Sequence, residues 1–324
     1  MKSWKIWKKW IAVVVPAVMA CILTGCGEAA LKTEAREVEG YTIPQAMIIV
    51  ATERNRYEAV YTDRIWNVKM NEEGTTFETY LLEQIKSFLE EMRTVTMMAK
   101  ERGIRLNGAE METISRLTDD YYKRLTREDI DYMGIRREDV QRMYEEYCLA
   151  NKMVTETTKD MDLEVSDNEA KVIGLEQIEV WNEETAELVC QKIQEEGADF
   201  AAIAAEYSLN PELKRNLGRG EEDEALENAA FALKEGEISE VIQVGPAYYI
   251  VKCTNEYDVD ATRERKKVLE IEKKDQVFRQ IYNEYTAENP VDFGEGMWKK
   301  LEFSGGGGCT TTNFFQLYQE YFKE

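Results

Sequence analysis

The 324-residue sequence contains no histidine. Imidazole is the usual proton carrier near neutral pH and the commonest metal ligand, so its absence excludes a Ser-His-Asp triad and any histidine-containing zinc site. Basic residues are in deficit, 41 against 63 acidic, for a formal charge of −22. Neutralising nucleic-acid phosphates takes clustered Lys and Arg, so no nucleic-acid partner is expected. Such acidity is either a solvated surface or an attraction for basic or unfolded clients. No disulfide framework is present either. Of the six cysteines, Cys21 and Cys26 lie near the start, and Cys148, Cys190, Cys253 and Cys309 are widely spaced with no CxxC pair. Free buried thiols are expected, with a Cys190–Cys253 bridge as the alternative. Alternating strands and helices are missing outside residues 170–254, which argues against a two-lobed solute receptor. No cofactor and no metal are expected.

What is present begins with the one long apolar run. Lys2, Lys5, Lys8 and Lys9 precede an apolar stretch from Trp10 to Leu23, and Leu23-Thr24-Gly25-Cys26 has the form of a lipobox. Residues 1–25 are therefore expected to be a lipoprotein signal removed before Cys26, leaving a diacylated cysteine. Two acyl chains suffice for stable anchoring. An uncleaved single span is the alternative, but the run is short of the ~20 residues a membrane helix needs. The predicted location is the extracytoplasmic face of a bacterial cell membrane. Residues 26–41, poor in apolar side chains, form the linker.

Residues 42–165 read as a helical domain. Thr42-Ile43-Pro44 opens a helix with Met47, Val50, Arg54, Tyr57 and Tyr61 on one side. Thr75 to Glu78 offers a capping box before Phe77, Leu81, Ile85, Phe88, Met92, Val95 and Ala99. Asn107 to Glu110 opens a third helix with Met111, Ile114, Leu117 and Tyr121, and a fourth runs from Arg137 to Thr158. Met and Tyr are frequent on these helices. They suit either ordinary core packing or an adaptable surface for apolar clients.

Residues 166–257 read as a smaller α+β domain. Ser166 to Glu169 has capping-box form, Lys171 to Val180 reads as a strand, and Asn182 caps a helix from Glu183 to Glu196. Asp199 caps a short helix carrying Phe200, Ile203, Ala204 and Tyr207. Leu226 to Leu233 is the next helix, and Val241–Val244 and Tyr248–Cys253 form a hairpin across Gly245-Pro246. Residues 258–324 then give a charged helix, Asp260 to Glu288, a Gly-rich turn at Gly305 to Gly308, and an aromatic helix capped by Asn313. Phe314, Leu317, Tyr318 and Tyr321 are spaced on that helix for burial against the helical domain.

The stretch GADFAAIAAEYS (Gly197–Ser208), then Leu217-Gly218, then LENAAFALKEGEIS (Leu226–Ser239) and AYYIVK (Ala247–Lys252) resembles the parvulin-type peptidyl-prolyl isomerase pattern. The whole layout is similar to PrsA/SurA-type foldases. This resemblance implies an α+β fold: a SurA-N-like helical chaperone domain with an inserted or appended parvulin-like (FKBP-like superfold) small antiparallel sheet with helices. It implies unfolded or newly exported proteins as partners, a membrane tether at Cys26, and a homodimer through the helical domain as one arrangement. In the family two histidines, an Asp or Cys, a Met and a Phe form the pocket. Here the histidine positions hold Gln177 and Tyr249, the Asp/Cys position Asn210, the Met position Glu222 and the Phe position Leu226, with Phe231 as a further apolar wall. None of the five family residues is kept. The expected function is a membrane-anchored folding factor with a degenerate site and weak or absent isomerase activity. An isomerase acting on X-Pro bonds through the altered residues, and a lipid-anchored binding or scaffold protein, are the alternatives.

Overall fold

The structure, a computed structural model, describes residues 35–161, 163–294, 296–301, 303 and 306–322. Cys26 and the leader lie outside the described residues. The chain divides into two compact units: one is built from the chain up to Met161 and from Asp275 onward, the other from the stretch between.

In the first unit, strand β1 (Arg36–Glu37) leads into helix α1 (Ile43–Tyr61). Thr42 and Gln45 form a reciprocal capping box there, and Pro44 occupies the first turn, where a missing N–H costs nothing. The expected one-sided stripe is not what forms. Gln45 to Asn55 are buried without a break, because α2 (Phe77–Glu101), α4 (Arg127–Met133), α5 (Arg137–Thr158) and the C-terminal helix all pack on α1. Tyr61, predicted on the buried side, is 59% exposed.

On α2 the stripe of Leu81, Ile85, Phe88, Met92, Val95 and Ala99 is buried as its spacing requires. Thr76 caps it by accepting from the Thr79 amide. Helix α3 (Gly108–Arg124) begins with the Asn107–Glu110 box. Helix α4 was not expected from the sequence. It is one short segment, capped by Thr126 with Asp129 and stopped by Gly134 at φ +63°, a conformation glycine adopts without strain. The Met and Tyr side chains resolve mostly into core: Met92, Met98, Met143, Met153, Tyr121, Tyr144 and Tyr147 are all buried.

The second unit is a four-stranded antiparallel sheet in the order β3-β2-β5-β4, with β2 (Val172–Val180), β3 (Lys214–Gly218), β4 (Ile242–Val244) and β5 (Ala247–Asn255). It opens on a single helical turn, α6 (Asp167–Ala170), capped by Ser166. Alternation along β2 and β5 sends side chains to two faces. Helices α7 (Glu183–Ile193) and α8 (Phe200–Tyr207) cover Ile178, Val180 and Ile250 through Ala186, Val189, Phe200 and Ala204. Helix α9 (Glu224–Ala232) covers Ile173, Leu175, Leu217, Val251 and Cys253 with Leu226 and Ala230. Cys190 packs with the first of these clusters and Cys253 with the second, so the sheet lies between the thiols and both are free. The Cys190–Cys253 bridge considered from sequence does not form.

Helix α10 (Val259–Glu288) contributes to both units. Its first half belongs with the sheet: Thr262 is buried and its Oγ1 accepts from the Val172 amide at 3.0 Å. Its second half belongs with the helices, where Phe278 is fully buried and Arg279 Nη1 donates to Glu91 Oε1 at 2.9 Å. Burial pushes the Glu91 carboxyl up to about 7 against the opposing pull of Arg279. After α10, strand β6 (Val291–Asp292) pairs in parallel with β1.

The last described segment completes the helical core. Thr310 and Thr311 donate their amides to Asp129 Oδ1 at 2.7 and 3.1 Å, and Asn55 Nδ2 donates to the Thr311 carbonyl at 2.9 Å. Helix α11 (Phe314–Tyr321) follows. The Phe314 ring stacks on Tyr144 at 4.2 Å, and the Tyr144 hydroxyl donates to the Phe314 carbonyl at 3.0 Å. Asn313 does not cap α11 with its side chain, which pairs instead with Thr311 Oγ1.

Candidate functional site

The residues singled out from sequence gather around the α9-covered face of the sheet and its rim. Gln177 lies on β2 and is only 3% exposed, and its backbone N–H donates to the Leu213 carbonyl at 2.9 Å. Glu179 follows two residues along, on the same face by strand alternation, and stands opposite Tyr249 of β5 in the register. The Tyr249 phenol is thus a near neighbour of the Glu179 carboxylate. Burial raises the Tyr249 phenol, Glu179 and Glu222 raise it further, and Arg215 opposes them. This phenol is therefore a protonated donor at any physiological pH.

Glu222 sits in the loop between β3 and α9. A carboxylate beside an apolar slot needs a partner, and Arg215 of β3 supplies it, with Nη2 donating to Glu222 Oε1 at 2.6 Å. Leu226, at the start of α9, is buried in the cluster beneath. Thus the structure brings Tyr249, Glu179, Arg215 and Glu222 together, with Gln177 on the same face and Leu226 under it.

Asn210 stands apart, whereas Phe231 packs on the same apolar cluster as Leu226 and Tyr249. Asn210 turns into its own loop, where its Oδ1 accepts from the Glu212 amide at 2.9 Å and its carbonyl accepts from Ser208 Oγ at 3.0 Å. Phe231 lies toward the start of β2, with the Arg219 guanidinium 4.2 Å from its ring centroid and Lys171 Nζ at 5.7 Å. Its face already carries a cation, an arrangement favourable in itself.

Glu179 and Arg215 were not anticipated. The signal for Glu179 was available, since period-two spacing from Gln177 puts it on the same face. Arg215 was hidden because Lys214–Gly218 has no apolar alternation and reads as a loop. Chemically, the cluster offers hydrogen-bond donors in Tyr249 and Arg215. Such donors suit a peptide carbonyl as acceptor.

Comparison with known proteins gives concordant matches. A family model described as "PPIC-type PPIASE domain" matches residues 137–268. The "Foldase protein PrsA" of Caldanaerobacter subterraneus subsp. tengcongensis is 29% identical over 252 residues, covering 71% of this chain and 76% of that protein. The "Foldase protein PrsA" of Geobacillus sp. (strain WCH70) is 32% identical over 135 residues, covering 39% of this chain and 49%, about half, of that relative. Among solved structures, the peptidylprolyl isomerase PrsA of Bacillus cereus aligns over 78% of this chain and 98% of its own, at 18% identity and a TM-score of 0.42.

Proposed function

We infer that this chain, which belongs to the PrsA-type foldase family and carries a PPIC-type domain, assists protein folding chiefly by holding chains rather than by accelerating prolyl isomerisation. Family membership supports the folding role. The observation that carries the finer reading is the replacement of both family imidazoles by Gln177 and Tyr249, beside a face occupied by the Arg215–Glu222 ion pair. Rotation about a peptide bond faces about 18–20 kcal/mol. Lowering that barrier takes a dry pocket that favours the twisted imide over the planar one. A charged pair at the mouth keeps water there and resists desolvation, so the twisted state gains little.

For the helical unit, the side chains left in solvent support client contact better than the Met and Tyr of its core. Val60 and Tyr61 at the end of α1, and Val68 and Met70 shortly after it, are each about half exposed or more. The expected clients are unfolded or newly exported proteins.

A protease-coupled assay on a prolyl tetrapeptide is expected to give kcat/KM at least about tenfold below that of a histidine-bearing parvulin. The same protein is expected to suppress aggregation of a reduced model protein at stoichiometric ratio. Isomerisation at the rate of the histidine-bearing enzyme would overturn the reading in favour of a true isomerase.

Tethering is the second part of this reading. Among the described residues no helix is long and apolar enough to cross a membrane. The lipobox at Leu23–Cys26 supports a lipid anchor on an extracytoplasmic face. Radiolabelled palmitate is expected to enter the full chain and to be lost in Cys26→Ser. Equal labelling of the variant would remove the anchor from the proposal.

A further inference from the structure

The loop that delivers Glu222 to the sheet face is governed by a residue far along the chain. Arg265, on the first half of α10, lies 44 residues beyond Glu221 and directs each of its three guanidinium nitrogens to a different acceptor. Nε donates to Glu221 Oε1 at 3.0 Å, Nη1 to the Glu169 carbonyl at 2.8 Å, and Nη2 to the Arg219 carbonyl. The other oxygen of Glu221 accepts from the Gly218 amide at 2.8 Å. Gly218 is what lets the guanidinium approach, because a Cβ there would run into Arg265 and Glu221.

Two other acids of this segment are engaged close by. The Gly220 amide donates to Glu227, and Asp223 caps α9 by accepting from the Ala225 amide at 2.9 Å. Glu222 crosses the loop to pair with a strand side chain, Arg215. We propose that Arg265 is the positioning residue of the candidate face: by fixing residues 219–221 it holds Glu222 against Arg215 beside Tyr249. The proposal rests on the reading of that face as the peptide-binding one only for its consequence, since the geometry concerns this chain alone. A lysine cannot replace it. An ammonium is a compact point charge and does not reproduce a planar fork that reaches three separated acceptors.

The test uses the full chain with isotopically labelled glycine and tyrosine, comparing the natural protein with R265Q, R265K and E221Q. In R265Q the Gly218 and Gly220 amides are expected to exchange at least tenfold faster, with the amides of α7 unchanged. The Tyr249 phenol is expected to titrate closer to ordinary tyrosine, because Glu222 is released while Arg215 stays. R265K should restore neither, a result that a purely space-filling role would not give. If R265Q does not fold, E221Q removes the loop's half of the contact and is read by the same two signals. Exchange and titration both at natural values in the folded variants would overturn the proposal. Binding of a fluorescein-labelled prolyl tetrapeptide is followed alongside, with at least a threefold change in Kd expected for R265Q. Absence of binding by the natural protein would refute the peptide-binding reading while the exchange and titration results still decide the role of Arg265.

Discussion

Phe314→Ala is expected to lower the stability of the helical unit by about 3–5 kcal/mol, the range for removing a large aromatic from a packed core. The ring is 1% exposed, lies parallel to Tyr144, and meets Tyr121, Tyr147 and Phe315 edge-on. Such pairs add about 0.5–1.5 kcal/mol each beyond the area they bury. The hole would open among helices held from several directions, which limits how far the surroundings can collapse into it. Denaturant titration of the full chain should show the loss, with resonances of the sheet unit as an internal reference. A change below about 1 kcal/mol would mean that α11 is an appendage rather than part of the core.

The second large effect is expected at Asp129. Its Oδ2 accepts from the Thr126 amide at 2.8 Å, and its Oδ1 from Thr310 and Thr311, so one carboxylate both starts α4 and fastens the C-terminal segment. Burial works against its charge, but the backbone donors of Thr126, Thr310 and Thr311 prevail and hold the carboxyl below the ordinary aspartate value. Asp129→Ala strands three amide donors and is expected to cost about 3–4 kcal/mol, given about 1–3 kcal/mol for each buried group left unpaired. Because the folded-state pKa is depressed, this stabilisation is fully present above the unfolded value, near 3.9, and disappears as pH falls through the folded one. The gap between variant and natural protein should therefore be constant from pH 6 to 8 and narrow below about pH 4. A gap that does not vary down to pH 3 would show that the carboxylate is not the source.

These two residues also mark what the sequence could and could not disclose. Phe314, Leu317 and Tyr318 recur at helical spacing after a Gly-rich turn, so a buried aromatic helix was legible. Asp129 was not, since α4 is too short to show a periodic stripe and its main function is to hold a segment roughly 180 residues later. The α2 stripe was legible for the same reason that α1 was misleading: α2 buries one side, whereas α1 is enclosed and its pattern carries no direction.

At the candidate face, matching to the parvulin pattern pointed to Gln177, Glu222, Leu226 and Tyr249. It could not find what they are paired with. Glu179 and Arg215 become neighbours of Tyr249 only through the register of β2 with β5 and β3, and a strand as polar as Lys214–Gly218 gives no periodic sign of itself. Phe231 was chosen as an apolar wall by its type. Its surroundings, two cations at the far end of β2, follow from where α9 lies on the sheet.

The placement of the last helix has a temporal corollary. Everything the sheet unit requires has been synthesised once Lys274 is made, but Asn55 waits 256 residues for Thr311 and Tyr144 waits 170 for Phe314. A chain emerging amino end first from a ribosome or a membrane pore thus matures from the middle outward. Its earliest helices stay open, apolar and unfinished until Thr311 and Phe314 have been made.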